Sequence, residues 1–169
     1  MGTRIYSPGA MAILIEAQNT ASKYHHHTIQ PEHVLYALLN AESGALRQIL
    51  ATMRKDADAI LHETCRVLEQ LPTAECSGGR HITVDLKLFL HTAEQLATDL
   101  GDESVSEEHL MLALIDTAEG PLASELEKQA ITHARFARAI TVSGVGTSSL
   151  AQRGKRLHRG ARNVMRLWT

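Results

Sequence analysis

Apolar residues recur along most of this chain at the spacing of one helical face. From Ala10 to Tyr24 they fall at positions i, i+4, i+7, i+11 and i+14, which predicts a helix that begins at Pro8 and is capped by Ser7. Comparable stripes follow as far as residue 142. The pattern predicts an all-α fold of eight short helices over residues 8–24, 31–39, 44–51, 56–71, 83–100, 106–117, 121–129 and 132–142.

The second half of the chain repeats the first at a fixed offset of 76 residues, without a gap. Residues 29–39 align with residues 105–115, and both copies place a Glu-His pair at the start of a leucine-rich segment. Ten identities at one offset, mostly at apolar or turn positions, indicate a duplication rather than chance. They are Leu14 and Leu90, Ala17 and Ala93, Ala21 and Ala97, Glu32 and Glu108, His33 and His109, Ala37 and Ala113, Leu38 and Leu114, Gly44 and Gly120, Leu46 and Leu122, and Leu50 and Leu126.

The duplication predicts two pseudo-symmetric four-helix units within a body of residues 1–143. Repeat one covers about residues 7–71 and repeat two about residues 83–142. Short helices bury little apolar surface alone, so the two units are expected to pack on each other. Residues 72–82, which contain a proline and two adjacent glycines, are predicted to form a flexible loop between the repeats.

Charge divides the chain at the end of the second repeat. All 19 acidic and eleven of the 17 basic residues precede residue 144, which gives the body a formal charge of −8, against −2 for the whole chain. The other six basic residues lie in residues 144–169, a predicted linker and tail that is helical from about residue 149. Such a basic amphipathic helix is expected to dock on its own acidic body, an acidic partner, an anionic membrane or nucleic acid. Its apolar stripe consists of Leu150, Leu157, Ala161, Val164 and Trp168.

The ten histidines do not form a metal-binding pattern. His25, His26 and His27 are consecutive, point in different directions on any regular element, and are predicted to lie in a solvated loop. His33 and His109 each follow a capping position by three residues, which predicts a structural role in the first turn of a helix. Neither a metal nor a cofactor is therefore expected.

Catalytic motifs are missing as well. Residues 143–148 contain two glycines but lack the lysine of a phosphate-binding loop, so they are interpreted as linker. Cys65 and Cys76 have no C-x-x-C spacing and are predicted to be reduced thiols. No apolar segment reaches the length of a membrane span, and residues 1–10 have no leader pattern. These observations favour a non-enzymatic protein in the cytoplasm.

The doubled Glu-His pair, followed each time by an apolar helix, resembles the N-terminal (Clp N) domain of Clp-type AAA+ unfoldases over about residues 7–142. The ClpB branch is most similar, through the run Leu68-Glu-Gln-Leu-Pro72, the Gly-Gly loop and the helix that ends at Gly101-Asp102. The resemblance implies a non-enzymatic module of a chaperone system that serves stress response and protein quality control. Such a module binds unfolded or aggregated proteins, or adaptor proteins, and recruits them to an AAA+ ATPase ring.

The resemblance also implies site residues. In the ClpB branch, client handling involves a hydroxyl at the cap of the first helix and acidic residues at the second Gly-Asp turn and Glu-His pair. Those positions are Ser7, Asp102 and Glu108 here. In the ClpC branch the glutamates of both Glu-His pairs bind phosphoarginine, and Glu32 and Glu108 match them. The Gly-Thr that flanks them in that branch is replaced in both repeats, which argues against phosphoarginine.

Two readings of the chain as a whole stay open. The 169 residues contain neither ATPase module, so AAA+ ATPase modules are expected as partners in cis or in trans. In cis, the chain is a fragment of a longer unfoldase. In trans, it is a free-standing regulator that sequesters clients or adaptors, with its basic tail on nucleic acid, a membrane or an acidic partner.

Overall fold

The computed structural model describes residues 5–73 and 81–156, and most of them are helical. The all-α prediction is confirmed, and each of the eight predicted helices is present to within one residue at either end. A further helical segment, α9, covers residues 149–156. The eight helices before it are α1 (Pro8–Lys23), α2 (Pro31–Leu39), α3 (Ala45–Thr52), α4 (Ala57–Gln70), α5 (Val84–Asp99), α6 (Glu107–Thr117), α7 (Gly120–Lys128) and α8 (His133–Ser143).

Equivalent side chains start the first helix of each repeat. The hydroxyl of Ser7 caps α1 by accepting a hydrogen bond from the backbone N–H of Ala10 at 3.1 Å. The hydroxyl of Thr83, 76 residues later, caps α5 by accepting one from the N–H of Leu86 at the same distance. The local sequence thus fixes where both helices begin.

Four two-residue strands, which the hydrophobic pattern did not predict, tie the repeats together. β1 (Ile5–Tyr6) pairs in parallel with β4 (Ser104–Val105), and β2 (Thr28–Ile29) pairs in parallel with β3 (His81–Ile82). Each pair joins one strand from each repeat. The prediction of a flexible loop over residues 72–82 was therefore wrong at its carboxyl end, where β3 is held by hydrogen bonds to β2; residues 74–80 lie outside the described part of the chain.

The core sits where the two repeats meet. The central helices α2 and α6 are buried along almost their whole length and contact each other, while α3 packs against α8 and α4 against α7. Each of these contacts joins one repeat to the other. The two phenylalanines, Phe89 and Phe136, are fully buried. Because the short helices share one apolar core, each unit depends on the other to bury its apolar surface.

Two details of the predicted inward faces were wrong. Leu14 packs against the core but is only half-buried, Tyr24 is half-buried as well, and the buried position in that turn of α1 is Ile13. Leu71, which the spacing after Ile60, Thr64 and Leu68 predicts to face inward, is only half-buried, because α4 ends at Gln70 and Leu71 is already extended. The error in α1 follows from assigning one residue per turn to a face that is two residues wide.

Candidate functional site

The Glu-His turn of repeat two holds a buried polar network. His109 is fully buried, and its Nδ1 accepts a hydrogen bond from the backbone N–H of Ser106 at 2.9 Å. Its Nε2 lies 2.9 Å from the Oδ2 of Asp102. The predicted structural role of His109 is confirmed, since it closes the first turn of α6 and also positions the Asp102 carboxylate.

Asp102 and Glu108 together bind the start of α9. The backbone N–H groups of Thr147 and Ser148 donate to the Oε1 of Glu108 at 2.8 and 3.1 Å. The N–H of Ser149 donates to the Oδ1 of Asp102 at 2.9 Å, and its hydroxyl donates to the Oδ2 at 3.2 Å. Two carboxylates thus face the amino-terminal end of a helix, which carries partial positive charge and N–H groups without helical partners.

Those contacts dock the described part of the basic tail on the acidic body. Ala151 is fully buried and Leu150 packs against the core. Within the tail, the Nζ of Lys155 donates to the carbonyl of Gly146 at 3.0 Å. Of the alternatives for the tail, the structure therefore shows docking on its own body for residues 149–156. The rest of the predicted stripe, from Leu157 to Trp168, lies outside the described residues.

Ser7 reaches this region through the backbone. Its N–H donates to the carbonyl of Val105 at 2.8 Å, one residue beyond the β1–β4 pair, while its half-buried hydroxyl serves as the cap of α1. Ser7 is therefore a neighbour of the segment that links Asp102 to Glu108, and its side chain already has a structural task.

Glu32 occupies the equivalent position in repeat one and lies in a different place. It borders a small cavity together with Glu63, Leu122 and Glu125, whereas Glu108 borders one with Leu38, Leu46 and Phe136. Within the described residues, the Oε2 of Glu32 is the only fully buried side-chain oxygen or nitrogen without a hydrogen-bond partner. Loss of solvent raises the pKa of the Glu32 carboxyl. The four residues implied by the resemblance thus do not converge on one site.

The two cavities correspond at four lining positions under the 76-residue offset: Glu32 and Glu108, Ala45 and Pro121, Leu46 and Leu122, and Ile49 and Glu125. Their other lining residues have no counterpart in the other cavity.

His26 was missed by the sequence analysis. Only 2% of its surface is exposed, and its Nδ1 lies 2.7 Å from the Nε2 of His33, so the prediction of a solvated loop was wrong for this residue. Burial, followed by the neighbouring His26, lowers the pKa of His33 to about 4. Burial also lowers the pKa of His26. The 76-residue offset aligns His26 with Asp102, and that alignment was the available signal.

His33 repeats the local geometry of its counterpart. Its Nδ1 accepts a hydrogen bond from the N–H of Gln30 at 2.9 Å, which confirms the predicted role in the first turn of α2. In the described ranges, no three or more His, Cys, Asp or Glu side chains are grouped so that they could hold a metal ion. Over the same ranges, no helix combines the length and apolar character needed to cross a membrane.

Comparison with known proteins decides the family. Residues 5–129 match the Clp repeat (R) N-terminal domain, which is well over half of the chain. The chain belongs to this family. Clp_N is a non-catalytic N-terminal domain of ClpB- and Hsp104-like proteins, although those proteins are themselves ATPases.

Individual relatives agree with this assignment. The chaperone protein ClpB of Mycobacterium leprae is 38% identical over 102 residues, which cover 60% of this chain and 12% of that protein. The Hsp104 N-terminal domain of Candida albicans superposes with a TM-score of 0.70 at 17% identity, covering 81% of this chain and 90% of that domain. The N-terminal domain of the ClpV1 ATPase of an E. coli type VI secretion system gives 0.68 at 23% identity, covering 87% and 89%.

The similarity to solved structures shows the fold, and the relatives that are most similar in sequence include ClpB chaperones. The Clp N domain of this chain is ClpB-like and all-α, as predicted. The chain spans about an eighth of the length of the ClpB relatives that it matches.

Proposed function

We propose that this chain is a substrate- or adaptor-binding module of a Clp/ClpB-type chaperone system that recruits unfolded or aggregated proteins to an AAA+ ring. The observation that carries the proposal is the convergence of Asp102 and Glu108 on the backbone N–H groups of one peptide segment. Membership of the Clp N family supports it. The AAA+ ATPase modules are supplied either in cis or in trans.

The chemistry of the site suits clients of varied sequence. Of the four hydrogen bonds that residues 147–149 donate to the two carboxylates, three come from backbone N–H groups, which every non-proline residue offers. A carboxylate strengthens such bonds because it is charged. The site therefore contacts mainly the backbone of a client and depends little on its side chains. A module that binds unfolded proteins of varied sequence needs this low specificity.

A neighbouring groove offers apolar contact. It has a volume of about 420 Å³, lies between α1 and α2, and reaches Glu107, the residue before Glu108. Ala12 and Ala41 contribute apolar surface, while Glu16 and Glu42 bring acidic groups. An apolar floor with acidic groups favours segments that combine apolar and basic side chains. Contacts of this size predict weak, reversible binding, which fits a module that passes its clients on.

Titration with a permanently unfolded model protein, followed by calorimetry and amide NMR, tests the proposal. Asp102→Asn and Glu108→Gln are each expected to weaken binding by up to about tenfold, the order of magnitude for losing a charged hydrogen bond, and by less to the extent that the substitution also loosens residues 147–149 from the same carboxylates. Glu127→Gln, the same chemical change at an exposed position of α7, is the matched control and is expected to bind like the wild type. No binding by the wild type, or equal binding by all four proteins, would contradict the proposal.

A further inference from the structure

The carboxylates assigned to client binding are covered by the chain itself. Only 3% of Glu108 and 15% of the Asp102 side chain are exposed, because the loop and first turn of α9 lie over them. Ser148, within that turn, is itself 2% exposed. An external peptide cannot reach either carboxylate while residues 147–149 remain in place.

The covering segment fits the site closely. Gly146 has a φ of +108°, and a Cβ at this position would overlap the Oε1 of Glu108. Further along, a Cβ at Gly154 would overlap the backbone carbonyl oxygen of Thr141 in α8. Both glycines therefore allow close approach, one to the carboxylate and the other to the body beneath α9.

Repeat one shows that a four-helix unit folds without this contact. The residues equivalent to the start of α9 are 71–73, and there Thr73 forms a backbone bridge with His26. The buried Oε2 of Glu32 accepts no hydrogen bond from them. Hydrogen bonding between the glutamate of the Glu-His pair and the segment after the fourth helix is thus found in repeat two and is not required by the repeated fold.

We propose that residues 146–156 are a tethered ligand that occupies the Asp102–Glu108 site and that external ligands must displace. The ligand class that the site takes is a peptide segment that starts a helix, with consecutive free backbone N–H groups and a serine or threonine hydroxyl among them. The identity of the external ligand as a client or adaptor depends on the function proposed above, whereas the tethered occupation does not.

The tether sets the strength of this competition. A short flexible connection gives a tethered segment an effective concentration in the millimolar range. If the free segment binds with a Kd of about 0.1 mM, the tether keeps the site about nine-tenths occupied, and the apparent affinity of an external ligand falls about tenfold. Site occupation would then limit client capture without a separate inhibitor.

The test uses the full chain and a fluorescein-labelled peptide with the sequence of residues 145–156. Gly146→Ala and Gly154→Ala each release the tether at a different point without altering Asp102 or Glu108. Gly120→Ala is the matched control for the first, because its φ of +59° imposes similar backbone strain while a Cβ there meets nothing within 4 Å. Fluorescence anisotropy measures the affinity for the peptide, and competition is measured with the unfolded model protein.

Both release variants are expected to bind the peptide about tenfold more tightly than the wild type and Gly120→Ala, and adding Asp102→Asn to Gly146→Ala is expected to abolish the gain. Equal affinity for all of these chains would overturn the tethered-ligand inference. If the peptide binds but the unfolded protein does not compete, this inference stands and the proposed function fails. If the unfolded protein binds the wild type and the release variants equally, the proposed function stands and this inference fails.

Hydrogen exchange covers the case in which a release variant does not fold. In the wild type, the amides of residues 147–149 are expected to be protected, and saturating unfolded protein or free peptide is expected to remove that protection while leaving the amides of α6 protected. Unchanged protection of residues 147–149 in a saturated complex would overturn the inference.

Discussion

The two Glu-His turns share a backbone and differ in the group that faces the histidine. In repeat two, His109 faces the carboxylate of Asp102 at 2.9 Å. In repeat one, His33 faces a second buried imidazole, that of His26, at 2.7 Å. A carboxylate can share a proton with an imidazole or accept one, whereas two buried imidazoles in contact cannot both carry charge.

The glutamates that precede the two histidines differ in the hydrogen bonds that they accept. Glu108 accepts two backbone hydrogen bonds, while the buried Oε2 of Glu32 accepts none. Repeat two has therefore become a place where anionic groups bind a peptide segment, and repeat one a place where neutral groups are favoured. Duplication kept the scaffold and separated the chemistry, so each half serves as a control for the other.

The largest predicted effect is a pH dependence that belongs to repeat one. The pKa of His33 is about 4 in the folded protein, against about 6.5 in an unfolded chain, so between these values only the unfolded state binds the proton. Stability should therefore be fully present above pH 6.5 and fall by up to about 3 kcal/mol as the pH drops to 4. Urea unfolding at several pH values measures this loss.

Replacing His26 by aspartate should reverse that dependence. His26→Asp gives His33 the partner that His109 has, which raises the pKa of His33 and lets the folded state keep the proton. His25→Asp, at the exposed neighbouring position, is the matched control and should keep the wild-type dependence. NMR titration of His33 reports the pKa directly. The same loss of stability between pH 6.5 and 4 in both variants would show that the His26 contact does not set it.

A smaller effect should change sign between the repeats. Glu108→Gln is expected to lower the free energy of unfolding by about 1–2 kcal/mol, because it weakens two charge-assisted hydrogen bonds. Glu32→Gln is expected to raise it by up to about 1 kcal/mol at pH 7, because it removes a buried charge whose Oε2 accepts no hydrogen bond.

The pH dependence of Glu32→Gln separates this explanation from a packing effect. Burial raises the pKa of Glu32, so the wild type loses stability as the pH rises through that raised value, and below the unfolded value both states are protonated. The advantage of the glutamine should thus be present at pH 7 and vanish near pH 4. If Glu108→Gln and Glu32→Gln both lower the free energy of unfolding at pH 7, the proposed difference between the two glutamates is wrong.

Much of the fold was predictable because its signals are local or repeated. Apolar spacing and capping residues placed eight helices, and the 76-residue offset gave the duplication. The strands β1 to β4 were not predictable, since two residues are too few to show an alternating pattern. What stabilises them is pairing between the repeats, which no local window contains.

The site was predictable only in part. The resemblance named Asp102 and Glu108, and the structure brings them together on one segment. That segment could not be identified from charge, since attraction between a basic tail and an acidic body specifies no partner groups. His26 was predicted to be solvated together with His25 and His27, although it is the one of the three whose ring is buried.

The smallest predicted effect concerns the caps that begin each repeat. Ser7→Ala removes one capping hydrogen bond and is expected to cost about 1 kcal/mol of unfolding free energy. Thr83→Ala should cost about 0.5–1 kcal/mol more, because the Thr83 hydroxyl also donates to the carbonyl of Ile29 at 3.2 Å and so joins the two repeats. Thermal and urea unfolding of both variants measure the difference.

Ser7→Thr decides whether the hydroxyl of Ser7 acts on a client or only on α1. Threonine also caps helices, so this variant should restore the stability that Ser7→Ala loses. If the hydroxyl contributes to client binding only by fixing the start of α1, affinity for an unfolded protein will return with stability. Restored stability without restored affinity would instead place the added methyl group in the path of the client and make Ser7 part of the binding surface. Both explanations assume that the hydroxyl of Ser7 stabilises α1. If Ser7→Ala is as stable as the wild type, that assumption is wrong.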